Sequence, residues 1–189
     1  MSAIRQQRPD DQKLQELIIY ISTLSAQDPN FRATKLNKLL FYTDFLAYQR
    51  FGKAITAQEY QALPQGPAPK RLKPIMEKMK RAGDLREERR KSGRFQQIRL
   101  VPMRTADLSE FSGLEVDLAR DVVQRFWNLN AIQISNESHL FLGWQLGLQG
   151  ETIPYSTVLI GNRKPTEAER KKGRALQKLA KEALAGGHQ

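Results

Sequence analysis

Residues Thr34 to Arg50, TKLNKLLFYTDFLAYQR, constrain the fold more than any other stretch of the chain. Leu36, Leu39, Leu40, Thr43, Leu46 and Ala47 recur at helical spacing, giving one continuous apolar stripe. Phe41, Phe45 and Tyr48 widen the stripe until the second half is apolar nearly all round. A helix of this kind belongs in the middle of a domain, with neighbours on most sides. Its polar remainder narrows to the line Lys35, Lys38, Tyr42 and Gln49, which makes Lys38 and Tyr42 the expected points of surface exposure. Asp28-Pro29-Asn30 supply turn chemistry in front, and Gly52 is a natural C′ stop behind.

The 189 residues suffice for one domain with a real core. No cysteine is present, which excludes disulfides, thiolate zinc sites and cysteine nucleophiles. Two histidines, His139 and His188, are too few for a histidine-rich metal site. No apolar run sits beside the N-terminal charges, and none approaches the roughly 20 residues that span a bilayer. The expectation is a cytoplasmic protein with no membrane partner. The net charge of +11 is unevenly spread. Lys70 to Arg104 hold 13 Lys and Arg against 4 Asp and Glu, a net +9, and Arg163 to Glu182 carry a net +5. Such a field attracts nucleic acid and acidic protein partners alike.

Along the chain, residues 1–12 read as a frayed start and Lys13 to Ser25 as a first helix, with Leu14, Leu17, Ile18 and Ile21 on one face. Beyond the organising helix, Ala54 to Leu63 has weak strand character. Pro64-Gln65-Gly66-Pro67-Ala68-Pro69 reads as a rigid turn. A third helix is expected from about Pro67 to Arg81, with Leu72, Ile75, Met76 and Met79 inward. Leu85 to Val101 suggests two strands about the Gly93 turn, and a hairpin after three helices has the order of a winged-helix unit. Helices are expected from Leu114 to Leu129 and around Ile132 to Trp144. A last basic helix is capped by Thr166 with Glu169 at capping-box spacing. The fold class is therefore α+β and predominantly helical, a helical core with one small β-hairpin. Residues 13–162 form the core of a single domain, and 163–189 a basic C-terminal helix and tail.

Three groups of residues invite sharper readings. Arg86, Arg89, Arg90, Lys91 and Arg94 on the hairpin could grip phosphates or an acidic partner. His139 beside Glu137, Ser135 and Ser138 has the residue types of a nucleophile–base pair. All of them are local in sequence, however, and a structural histidine is the simpler account. Trp127 and Trp144, with Phe126, Phe141 and Tyr155, read as core rather than as a ligand pocket. No glycine pattern makes a phosphate loop, and nothing asks for a cofactor, a metal or an enzyme's catalytic set.

Taken together, Lys35-Leu36-Asn37-Lys38-Leu39-Leu40-Phe41-Tyr42, the Glu59-Tyr60-Gln61-Ala62 segment leading into Gly66-Pro67, and Ser138-His139 followed by Trp144 resemble the Panacea (SocA-like) antitoxin domain. The resemblance runs from about Lys13 to Gly161. It implies a non-enzymatic protein of a bacterial or phage toxin–antitoxin system that neutralises its cognate toxin, the product of an adjacent gene, by direct binding. Lys38, Tyr42, Gly66, Pro67, His139 and Trp144 match family positions and are the implied toxin-binding residues. The chain departs from the pattern where Leu140-Phe141-Leu142 follow the histidine, and in the added basic run and last helix. The alternative is a winged-helix-like DNA binder or operon repressor using the basic hairpin.

Overall fold

The structure, a computed structural model, describes residues 7–92, 95–160, 166–168, 170–171 and 173–175. The side chains at 90–92 and 95–97 fall outside that description, as does the Glu169 half of the expected capping box. The fold is predominantly helical α+β, with two small antiparallel strand pairs.

Helix α1 spans Asp11–Leu24 and starts where Asp10 accepts a hydrogen bond from the Lys13 amide at 2.9 Å. The chain ahead of it is tied down by the Gln7 side chain on the Ala54 carbonyl and by the Asp10 amide on that of Thr56. Helix α2, Ala33–Phe51, lies at the centre and ends on Gly52 at φ +73°, a left-handed C′ position that glycine adopts without strain. It packs against α1, against α4 (Gly113–Arg125) and α5 (Ala131–His139), and against the 3₁₀ turn Tyr155–Leu159. Both α4 and α5 begin with complete capping boxes, Ser112 with Glu115 and Asn130 with Gln133. A short helix α6, Leu142–Leu146, follows.

The apolar stripe of α2 serves two cores at once. Leu36, Leu39, Leu40 and Ala47 join Leu14, Leu17, Ile18 and Ile21 of α1 and Leu118, Val122 and Phe126. Phe41 and Phe45 belong to a second, aromatic cluster with Tyr60 and Ile153, against which Phe141, Trp144 and Tyr155 pack. Ring centroids there lie 4.5–5.8 Å apart for Phe41–Phe45, Phe45–Tyr60 and Phe41–Tyr60, the spacing at which aromatic pairs add about 0.5–1.5 kcal/mol each.

The segment expected as a rigid turn is instead half of a hairpin. Strand β1, Tyr60–Leu63, pairs antiparallel with β2, Gly66–Pro69, so that only Pro64 and Gln65 form the turn. Two prolines are tolerated because of register. Pro67 and Pro69 stand opposite Ala62 and Tyr60, whose backbone groups point the other way, toward residues 150–153: Ala62 N–H reaches the Glu151 carbonyl at 2.8 Å and Ile153 N–H reaches that of Tyr60 at 2.7 Å. Prolines at positions outside the β1–β2 ladder remove no donor from it. Helix α3 consequently starts later than expected and spans Leu72–Ala82, which places Pro74 in its first turn. The hairpin of β3 (Leu85–Ser92) and β4 (Phe95–Pro102) follows, as its sequence pattern predicts.

The expected polar line of α2 does not reach water at Lys35 or Lys38, which are 0% and 1% exposed. The Lys35 ammonium meets Asp28 Oδ2 at 2.6 Å and donates to the carbonyls of Trp127 and Leu129 at 2.8 and 2.7 Å. Its three donors are thus spent on holding the α4–α5 connection and the α1–α2 loop to α2. Removing one member of a buried pair strands the other charge, which costs about 3–5 kcal/mol. Lys35→Ala is expected to lower the unfolding free energy by that amount in urea titration, and adding Asp28→Ala should restore part of it.

Candidate functional site

The three motif segments that resemble one family meet in space. Lys38 comes from α2, Gly66 and Pro67 from β2, and Ser138 and His139 from the C-terminal end of α5. Lys38 Nζ donates to the Pro67 carbonyl at 3.0 Å in a fully buried hydrogen bond. Gly66 holds φ +94°, and a Cβ added there would lie 3.0 Å from Lys38 Nζ and overlap Ser138 Oγ. Glycine is therefore required twice, for its backbone conformation and for the close approach of two side chains. Ser138 is itself buried and donates to the Ser135 carbonyl at 2.7 Å.

His139 stacks on Trp144, with centroids 4.1 Å apart and planes at 13°. The indole N–H of Trp144 donates to the Leu63 carbonyl at 2.8 Å, and Gln145 Nε2 donates to the His139 carbonyl at the same distance. This stack clips the end of α5 and the start of α6 to the β1–β2 turn. Both rings remain partly exposed, and so do Pro64 and Gln65, while Leu140 keeps 49% of its surface. Tyr42 is half-buried and stacks on Phe126 at 4.4 Å. The two residues expected at the surface thus separate: Lys38 is an internal strut, and Tyr42 lies at the edge of the main core.

Electrostatics agree with an internal strut. Burial holds the Lys38 ammonium down at about 8, because no carboxylate accompanies it. His139 is lowered by burial and then by the Lys38 charge, with the Pro64 carbonyl opposing, so the ring is neutral at pH 7. Burial, and then the Glu137 carboxylate, push the Tyr42 phenol up.

A second buried polar centre lies farther along α2 and has no counterpart in the sequence reading. Asp44 is fully buried and accepts hydrogen bonds from Thr56 N–H at 2.7 Å, from the Thr56 hydroxyl, and from Tyr60 OH at 2.8 Å. Burial raises its pKa above the usual carboxylate value, and those hydrogen bonds offset only part of the rise. Tyr155 OH donates to the Gln58 carbonyl at 2.7 Å beside it. The signal available in the sequence was a lone carboxylate on the widest apolar part of the helix, followed by Thr56 and Tyr60.

Ser138 and His139 form no nucleophile–base pair: the hydroxyl is spent on a backbone carbonyl, and the imidazole is stacked on an indole. Among the described residues no group of three His, Asp or Glu side chains could hold a metal ion. A cleft of about 280 Å³ lined by Asp10, Lys13, Glu16, Asp107 and Phe111 lies away from the clasp, and Arg104 occupies Glu16 there with two hydrogen bonds. On the basic hairpin Arg86 pairs with Glu88, and Arg89 is exposed. Arg94 and the side chains of Arg90 and Lys91 lie outside the described residues.

Lys38 gives this centre a pH signature. Its folded pKa is depressed from 10.5 to about 8, so between those values the unfolded chain binds more protons and stability rises with pH. A depression from 10.5 to about 8 corresponds to at most about 3.4 kcal/mol. Urea unfolding of the wild type should gain stability from pH 8 toward pH 10, and Lys38→Met should flatten that gain. Gly66→Ala should destabilise at every pH, and combining it with Ser138→Gly should recover only the steric part, leaving the left-handed backbone strain.

No curated protein and no solved structure matches the chain. The family model described as "Antitoxin SocA-like, Panacea domain" matches residues 36–145, from α2 through the β1–β2 hairpin and the Ser138–Trp144 clasp. With more than half of its length matched, the chain belongs to the SocA-like, Panacea-domain antitoxin family.

Proposed function

We propose that the protein is an antitoxin that neutralises a cognate protein toxin by direct binding, without catalysis. The observation that carries this reading is that the family's matching residues close into a clasp whose Ser138 hydroxyl is committed to a backbone carbonyl. Lys38, Gly66 and Pro67 act as positioning residues in this reading. They fix the height and direction of the Pro64–Gln65 turn against the end of α5. His139 and Trp144 form the half-exposed border of that turn, and Leu140 beside them offers apolar area to a partner. Protein interfaces gain most from a few such anchors held rigidly, since preorganisation reduces the ordering cost of association. Among the described residues no helix is long and apolar enough to cross a membrane.

The test is co-expression with the product of the adjacent gene. That product alone should arrest growth, the present chain should restore it, and the two should co-purify. Leu140→Asp leaves the clasp intact and should weaken association at least tenfold, about 1.4 kcal/mol. A harmless neighbour, or rescue without association, would count against the proposal.

A further inference from the structure

We infer that the outer face of α3, extended by Arg89 on β3, is a docking surface for the phosphate backbone of duplex DNA. Ile75, Met76 and Met79 are buried, while Lys73, Pro74, Glu77, Lys78 and Arg81 are exposed on the opposite side. Lys73, Lys78 and Arg81 pair with no carboxylate among the described residues. Their neighbours are engaged: Lys70 holds Glu59, Arg71 holds Asp11, and Lys80 holds both Glu77 and Glu87. Glu77, the one carboxylate on α3, is held by Lys80 and also feels the charges of Arg81 and Lys73, and among the described residues Lys73, Lys78 and Arg81, spread over about 12 Å of helix, close no ion pair.

The Lys80–Glu87 contact, at 2.9 Å, also fixes the hairpin beside α3. Arg89 lies two residues farther along β3, on the same face as Glu87, and is exposed. A cationic helix followed by a projecting hairpin can straddle a duplex backbone.

The chemistry of the face selects among polyanions. On α3 the face carries no large apolar or aromatic side chain, and on the hairpin Ile98, paired with Arg89 and 47% exposed, stands as a single one, whereas protein interfaces are built on clusters of such anchors and are depleted in lysine. Single strands are bound by stacking bases on aromatic rings, and α3 carries none. Phosphate contact without base readout remains, since α3 has no Asn or Gln for adenine edges. This surface shares no residue with the clasp, so it stands or falls separately from toxin binding.

Fluorescence anisotropy with a labelled mixed-sequence duplex, titrated across salt concentrations, tests it. The wild type should bind with a linear log–log salt dependence. The triple variant Lys73→Gln/Lys78→Gln/Arg81→Gln, which changes only exposed side chains, should bind at least tenfold more weakly at low salt. Its slope should be shallower by about 2.7, at roughly 0.9 for each phosphate no longer neutralised. Equal slopes for the two proteins, absence of duplex binding, or equal binding of the single strand would overturn the assignment. So would displacement of the duplex by polyglutamate at matched charge as effectively as by unlabelled duplex, which would mark an acidic protein as the occupant.

Discussion

An ionisable group removed from water must find its partners inside the protein, and α2 carries three such groups. Lys35 is answered by Asp28 and two carbonyls, Lys38 by the Pro67 carbonyl, and Asp44 by Thr56 and Tyr60. Each set of partners comes from a different part of the chain. Hydrophobic burial is non-directional and would accept many arrangements of helices around an apolar rod. Hydrogen bonds to buried ammonium and carboxyl groups accept few, so these three side chains fix which loop, which hairpin and which turn lie against which level of α2.

The three are not equivalent. Lys35 has a counter-charge, and Asp44 has short hydrogen bonds from hydroxyls and an amide. Lys38 has one carbonyl and no carboxylate, so burial draws its pKa down toward neutrality. A buried cation with so little compensation weakens the fold. In return it places the Pro67 carbonyl, and with it the exposed turn at Pro64 and Gln65. Ser138 and Gly66 reinforce the same placement sterically, and the His139–Trp144 stack secures its far side. The motif residues therefore act one layer beneath the surface they shape.

Much of this was legible beforehand. The 3.6-residue stripe of α2, the inward residues of α1 and α3 and the β3–β4 hairpin all follow from periodicity and turn chemistry, whereas of the aromatics expected in the core only Phe126 is buried, and Trp127, Phe141, Trp144 and Tyr155 lie partly exposed at its edges. The β1–β2 hairpin was not legible, because Pro67 and Pro69 argue against a strand until the register shows that their missing N–H groups face away from β1. Lys35 and Lys38 were misjudged for a related reason. Helical spacing aligns them in a polar line, but spacing cannot reveal that carbonyls from residues 67, 127 and 129 arrive to meet them.

The sequence by itself determined the central helix, the helical character of the domain and its family, because these rest on local periodicity and on short motifs, each contiguous within its own segment of the chain. Only the tertiary structure decided that Lys38, Gly66, Pro67 and Ser138 form one buried clasp, that Asp44 anchors a second polar centre, and that Lys73, Lys78 and Arg81 of α3 close no ion pair among the described residues. Those properties depend on partners 29 or more residues away in the case of Lys38, or on which carboxylates have already been taken. Distance along the chain carries no information about either.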